Sequence, residues 1–247
     1  MFETLRRKQP GANLFRLCFY ELMCLNLRVL SSLFYRARTF NAQNVPASGP
    51  LILAANHQSN LDPPLIGIGL RQRHLTFVAK SGLFNFKPLA TAISLLNALP
   101  INDEGGDITA IKETITRLQT GSAVLIFPEG SRCSHGAIEA YKRGVALLVK
   151  KARCPVVPVA IEGAFDAWPH TALFPRLFGC RVYVKYGTPI AYDELFKDGP
   201  EAALRRLREE SERMRLELRS TLRQQTSGRF PAPSRGDAPA VAPTSAC

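Results

Sequence analysis

The apolar residues of the chain fall into two patterns. Leu51–Ala55, Ala123–Phe127 and Val156–Ile161 are short, continuous apolar runs bounded by turn residues, as expected of strands covered on both faces. Leu75–Ala79, a short stretch around Leu99–Asn102 and Arg181–Tyr186 read as further strands, the last stopped by Gly187-Thr188-Pro189. Helical patterns lie between them. One runs from 63 to about 70. Pro88–Leu99 is almost wholly apolar and predicts a buried helix. After a turn at Glu104-Gly105-Gly106, Asp107 can cap a helix through Gln119, which Gly121 ends, and Lys142–Lys151 is another. Strands alternating with helices predict an α/β fold: a largely parallel sheet flanked by helices.

The flanks differ from this middle. Residues 12–36 are apolar but broken by Arg16, Glu21, Arg28 and Arg36, so no uncharged run reaches the ~18 residues of a spanning helix. Wound at about 100° per residue, Arg16, Glu21, Arg28, Ser31 and Ser32 share one side. Phe15, Cys18, Phe19, Leu22, Leu25, Val29, Leu30 and Leu33 share the other. Residues 1–40 therefore predict a basic segment with an amphipathic helix that either lies in a membrane interface or packs on its own domain. A connector, 41–50, leads into a domain expected to span 41–225. Its last helix, 200–225, carries Leu204, Leu207, Met214, Leu218 and Leu222 among many Arg and Glu, the pattern of a solvated surface helix. From 226 to 247 the chain is rich in Ser, Pro, Ala and Gly and predicts a disordered tail.

Charge narrows the partners. Lys and Arg number 32 against 20 Asp and Glu, a net +12, which points to an anionic partner. No helix-turn-helix pattern, paired-cysteine finger or RNP-like strand supports nucleic acid, so an acidic membrane surface is the better expectation. The cysteines at 18, 24, 133, 154, 180 and 247 lack CxxC or zinc spacing and read as reduced thiols of a cytoplasmic chain. Arg6-Arg7-Lys8 is not followed by the apolar core and small-residue cleavage site of a secretory signal.

The candidate chemistry lies in Asn56-His57-Gln58-Ser59-Asn60-Leu61-Asp62, between a strand and Pro63-Pro64. Asp62 is a natural N-cap, with Pro63 at the first helical position. His57 can turn its ring to that carboxylate, which fixes the tautomer, offsets imidazolium charge and leaves the other ring nitrogen to take a proton. A His-x4-Asp pair arises readily by chance, but further blocks accompany this one: Phe127-Pro128-Glu129-Gly130-Ser131-Arg132, Tyr141-Lys142-Arg143-Gly144 and Val157-Pro158-Val159-Ala160-Ile161-Glu162-Gly163.

This ordered set resembles the glycerolipid acyltransferases, the family of 1-acylglycerol-3-phosphate acyltransferase, over roughly residues 40–190. That family carries NHxSxxD, FPEGTR and VPVxIxG in the same order. The resemblance implies transfer of an acyl group from acyl-CoA or acyl-carrier protein to the hydroxyl of a lysolipid, with no metal and no cofactor beyond the donor. His57 would be the general base, worth roughly 10²–10⁴ in rate, and Asp62 its orienter. Glu129 would bind acceptor hydroxyls, with Gly130 and Ser131 (a Thr in the family) forming the turn. Arg132 would hold an anionic oxygen, Lys142 or Arg143 would face phosphate, and Lys80 matches a recurring family lysine. Oxyanion donors are expected among the amides of Asn56–Ser59 or near Gly130.

The chain departs from the family at one place. Where the family has an arginine that binds acceptor phosphate, Leu99-Pro100-Ile101-Asn102-Asp103 places Asp103. An aspartate there repels phosphate. Lys80, Arg73 or Lys87 could substitute, or the acceptor could be a lyso-aminolipid or another hydroxylated lipid. A catalytically silent lipid-binding protein is the competing non-enzymatic reading. The expected location is the cytoplasmic face of a membrane, peripheral or monotopic.

Overall fold

The computed structural model describes residues 8–9, 13–101, 106–233 and 237. Among these, strands β1 (Arg38–Phe40), β2 (Leu51–Ala55), β3 (Leu75–Lys80), β4 (Ala98–Ile101), β5 (Ala123–Ile126), β6 (Val156–Glu162) and β7 (Tyr183–Tyr186) form one sheet. Its order is β1-β7-β6-β2-β5-β3-β4. Every neighbouring pair is parallel except β6–β7. The helices are α1 (Leu14–Tyr35), α2 (Asp62–Gly69), α3 (Lys87–Leu95), α4 (Gly106–Gln119), α5 (Arg143–Ala152), α6 (Ala164–Ala167), α7 (Tyr192–Leu195) and α8 (Pro200–Gln225). The fold is the expected α/β sheet flanked by helices.

Both sheet faces are covered, which is why the central strands are apolar at every position. Leu51, Leu53 and Ala55 of β2 and Ala123 and Leu125 of β5 pack into one cluster with Tyr20, Leu65 and Leu218. Ile52, Ala54, Val124 and Ile126 face the other way, against Ile111, Leu118, Leu148 and Val149.

The flanks depart from expectation. α1 packs on the domain through Leu17, Tyr20, Cys24 and Tyr35, with two polar residues beside them: Arg28 donates to Ile68 O (2.8 Å) and Leu70 O (3.3 Å), and Glu21 pairs with His74 (3.0 Å). Its outward face is also apolar, with Phe15, Leu22, Leu25, Val29 and Leu33 each more than half exposed. The sheet starts earlier than expected, since Arg38–Phe40 pairs with β7. The segment read as a buried helix over 88–99 is a shorter helix at the rim. It is followed by β4, and Phe86, Lys87 and Pro88 are exposed.

α8 is not a solvated surface helix. Arg215 is fully buried, Glu212 and Arg219 are buried, and Met214, Leu218 and Leu222 join the core. The chain also folds back past residue 225. Phe230 and Pro231 are buried, Thr226 Oγ1 donates to Phe230 O (2.7 Å), and Asp237 accepts from Arg219 (2.6 Å) and Arg223 (3.0 Å). The remainder of the expected tail lies outside the described residues.

Candidate active site

β2 and β5 are parallel neighbours, so the residues that follow them emerge together at the carboxyl end of the sheet, where open α/β sheets bind ligands. Asn56 extends β2 with its side chain, donating to Ile161 O (3.0 Å) and accepting from Ile161 N (2.8 Å). His57 follows, with its ring stacked on Phe127 at 3.9 Å between centroids. His57 Nδ1 lies 2.7 Å from Asp62 Oδ2. Nδ1–H therefore donates to the carboxylate, and Nε2 is the basic nitrogen.

Asp62 sits one residue further into the helix than expected. It opens α2 behind Leu61 and caps nothing in that helix. Pro63 and Pro64 lack N–H groups, so the nearest donors forward are absent and the carboxylate turns backward. Its Oδ2 accepts from Gln58 N (2.6 Å) and Ser59 N (2.7 Å) as well as from His57. Complete burial pushes the Asp62 carboxyl up, while His57 and the two amides pull it toward the charged form.

The second block is arranged around the same loop. Glu129 is buried, and both of its oxygens are engaged by backbone amides. Its Oε1 accepts from His57 N (2.8 Å) and its Oε2 from Glu139 N (2.9 Å). It therefore holds the backbone of His57, and burial pushes its carboxyl up to about 8. Gly130 has φ +74°, and a Cβ there would come within 2.5 Å of Lys142 Cε and Nζ. The glycine thus meets the turn's left-handed backbone and lets the Lys142 side chain lie across it. Ser131 is exposed, and Arg132 donates to Asn60 Oδ1 (2.9 Å), on the His57 loop. His57, Asp62, Glu129, Gly130, Arg132 and Lys142 are thereby brought into one neighbourhood.

Other candidates lie elsewhere. Arg73 is buried at the opposite end of the sheet and donates to Pro46 O (2.9 Å), Gly49 O (2.8 Å) and Gly121 O (3.1 Å), so it cannot replace a phosphate ligand. Lys80 ends β3, and its side chain lies outside the described residues, as does Asp103. Lys87 begins α3 and is exposed. Several expected oxyanion donors are taken: His57 N by Glu129, Gln58 N and Ser59 N by Asp62, and Gly130 N by Phe127 O (3.0 Å). Cys133 donates its amide to His57 O (2.8 Å), but burial, with help from Glu129, pushes its thiol up to about 12 and keeps it protonated.

Sequence reasoning missed the support beneath this loop. Gln58 Nε2 donates to Gly136 O (2.9 Å) and Glu162 Oε2 (3.1 Å). Glu162, at the end of β6, accepts from Arg215 (3.1 Å) and from Arg219. Arg215 in turn makes two bonds to Glu212, at 2.8 and 2.7 Å. A chain of buried charge thus runs from the loop to α8. Its signal in the sequence was a glutamate ending an all-apolar strand, with Arg215 and Arg219 on the same helical face as Leu218 and Leu222.

An oriented histidine base beside Arg132 and Lys142, with no Ser or Cys side chain bonded to its ring among the described residues, is equipped to activate a hydroxyl for attack on a carbonyl. The Acyltransferase family model matches residues 36–162, and the chain belongs to that family, whose members take an acyl donor and an acceptor.

Its relatives are more particular. The chain is 30% identical over 144 residues to the 1-acyl-sn-glycerol-3-phosphate acyltransferase of Bacillus subtilis, covering 58% of this chain and 71% of that protein. It is 29% identical over 140 residues to the chloroplastic 1-acyl-sn-glycerol-3-phosphate acyltransferase LPAT1 of Arabidopsis thaliana, covering 55% of this chain and 38% of that one. The crystal structure of the 1-acyl-sn-glycerophosphate (LPA) acyltransferase PlsC from Thermotoga maritima superposes with a TM-score of 0.69 at 25% identity, covering 83% of this chain and 82% of that one.

Proposed function

We propose that this acyltransferase converts 1-acylglycerol-3-phosphate to phosphatidic acid at a membrane surface, in phospholipid synthesis, using acyl-CoA or acyl-carrier protein as donor. The observation that carries the reading is the His57–Asp62 pair, at 2.7 Å, next to Arg132 and Lys142. His57 Nε2 takes the proton of the acceptor hydroxyl as its oxygen attacks the thioester carbonyl. The tetrahedral intermediate collapses, the C–S bond breaks, and the thiolate leaves with that proton. Arg132, Lys142 and Lys80 would hold the acceptor phosphate. Glu129 would act on the backbone of His57 and not on the substrate. The donor is a substrate, and the reaction needs no metal or other cofactor. The names of the relatives support the acceptor.

The proposed location is the cytoplasmic face, with the exposed apolar side of α1 lying in the lipid interface. α1 is long and apolar enough to cross a membrane by length and composition. Its bonds through Glu21 and Arg28 to the domain favour lying along the surface instead. The five described cysteines are free thiols, in keeping with a reducing compartment.

The test is a panel of lysolipids incubated with labelled acyl-CoA or acyl-carrier protein, with products identified by mass spectrometry. Phosphatidic acid should form from lysophosphatidic acid and vanish with His57→Ala; no product from it would overturn the assignment. Asp103 favours a second reading, an acceptor with an amine or no charge near the phosphate position. Asp103→Arg would then impair the natural reaction, whereas it should lower KM for lysophosphatidic acid if that is the acceptor.

A further inference from the structure

After α6 the chain makes a closed loop before β7. Arg176 N donates to Ala167 O (2.8 Å), Ala172 N to Pro169 O (3.0 Å) and Trp168 Nε1 to Ala172 O (3.0 Å). The backbone is thus tied to itself, and the side chains at its tip point away from the protein. Leu173 is 81% exposed, Phe174 76% and Phe178 70%, with Leu177 also exposed. Single exposed apolar residues are ordinary, but four within six positions of an ordered loop are not.

The loop is continuous with α1. The Phe178 ring meets Phe34, near the end of that helix, edge-on at 5.3 Å between centroids. The tip therefore extends the outward apolar face of Leu22, Leu25, Val29 and Leu33. Exposed arginines border the patch: Arg36 and Arg38 after α1, and Arg176 in the loop. Residues 167–182 contain no Asp or Glu. The base of the loop is joined to the candidate site, because Ser59 Oγ donates to Trp168 O (2.8 Å).

We propose that residues 171–178 are a second membrane-insertion element, whose Leu and Phe side chains enter an anionic bilayer beside α1 while Arg36, Arg38 and Arg176 meet its headgroups. This rests on the reading of α1 as an interfacial helix. Two attachment points hold the domain in one orientation, where α1 alone would leave it free to roll about the helix axis. The His57 loop is then held beside the surface from which a lipid acceptor arrives.

The test uses the full chain and sedimentation with vesicles of phosphatidylcholine, with or without phosphatidylglycerol. Trp168, the sole tryptophan, reports from the base of the loop through quenching by brominated acyl chains. Leu173→Ser/Phe174→Ser should bind anionic vesicles roughly tenfold or more weakly and lose quenching, with an unchanged melting temperature because both residues are exposed. Leu25→Ser/Val29→Ser tests α1 separately. If only the α1 variant loses binding, the loop is not an insertion element and the reading of α1 stands. If neither variant changes binding, or the wild type does not bind, both readings fail. Unchanged vesicle affinity with loss of a solution dimer in the loop variant would assign the patch to a second copy and overturn the proposal.

Discussion

Glu162→Gln tests the support beneath the active-site loop. Glu162 is 1% exposed, and its Oε2 lies 3.1 Å from both Gln58 Nε2 and Arg215 Nη1, while Oε1 binds Arg219. The amide keeps the volume and removes the charge. Arg215 keeps its bonds to Glu212, and Arg219 keeps those to Asp237 and Ala232 O. Breaking a buried pair by removing one partner costs about 3–5 kcal/mol, a large share of the ~5–15 kcal/mol that holds a domain folded. Gln58 also loses a charged acceptor, a bond worth about 1.5–3 kcal/mol. Gln58 adjoins His57, and a displacement of about 1 Å in a reacting group can cost on the order of a hundredfold. Glu162→Gln should therefore lower kcat by about 10–100-fold and leave KM for the acceptor nearly unchanged, since Arg132 and Lys142 are untouched. Glu212→Gln is the control: it disturbs Arg215 without touching Gln58, so it should lower the melting temperature and spare kcat. Steady-state kinetics below both melting transitions decide the matter. A wild-type kcat in Glu162→Gln would reduce the network to a stability role, and equal kcat losses in both variants would mean general loosening.

Three further outcomes are expected. His57→Ala and Asp62→Asn should each lower turnover by at least about two orders of magnitude in a folded protein; near-normal activity in His57→Ala would end the proposed mechanism. Gly130→Ala forces a Cβ into left-handed backbone at a cost of about 1–2 kcal/mol and displaces Lys142, so acceptor KM should rise and the melting temperature fall; no change in either would mean that Lys142 does not serve the site. Glu129 has a folded-state carboxyl raised from 4.5 to about 8, so folding favours its protonated form. Its contribution is fullest below pH 4.5 and is lost as pH rises through about 8, a decline of up to roughly 5 kcal/mol. Melting temperatures should fall over that range and the slope should flatten in Glu129→Gln; a flat wild-type profile would contradict this.

The strands were legible because β2, β5 and β6 are covered on both faces and so carry unbroken apolar runs. His57 and Asp62 were legible because their pairing is local, five positions apart. What sequence hid was direction. The helical wheel of α1 put Glu21 and Arg28 on one side but could not say that this side faces the domain, together with Leu17, Tyr20 and Cys24. Charge on α8 reads as solvent-facing until Glu162, from a strand more than forty residues earlier, supplies its partner. The motif reading gave Glu129 to the acceptor, and spacing alone does not reveal that its oxygens also meet the amides of His57 and Glu139.

The placement of Glu162 also bears on the order in which the enzyme is built. Gln58 and Glu162 stand 104 positions apart, and Glu162 and Arg219 a further 57. During synthesis α1 leaves the ribosome before the sheet on which it packs. The loop bearing His57 waits for β6, and β6 in turn for α8. Such late, long-range closure slows folding. If α1 is the interfacial helix proposed above, the segment that meets lipid is made long before the loop that carries the chemistry is supported, and targeting and activity are separated in time.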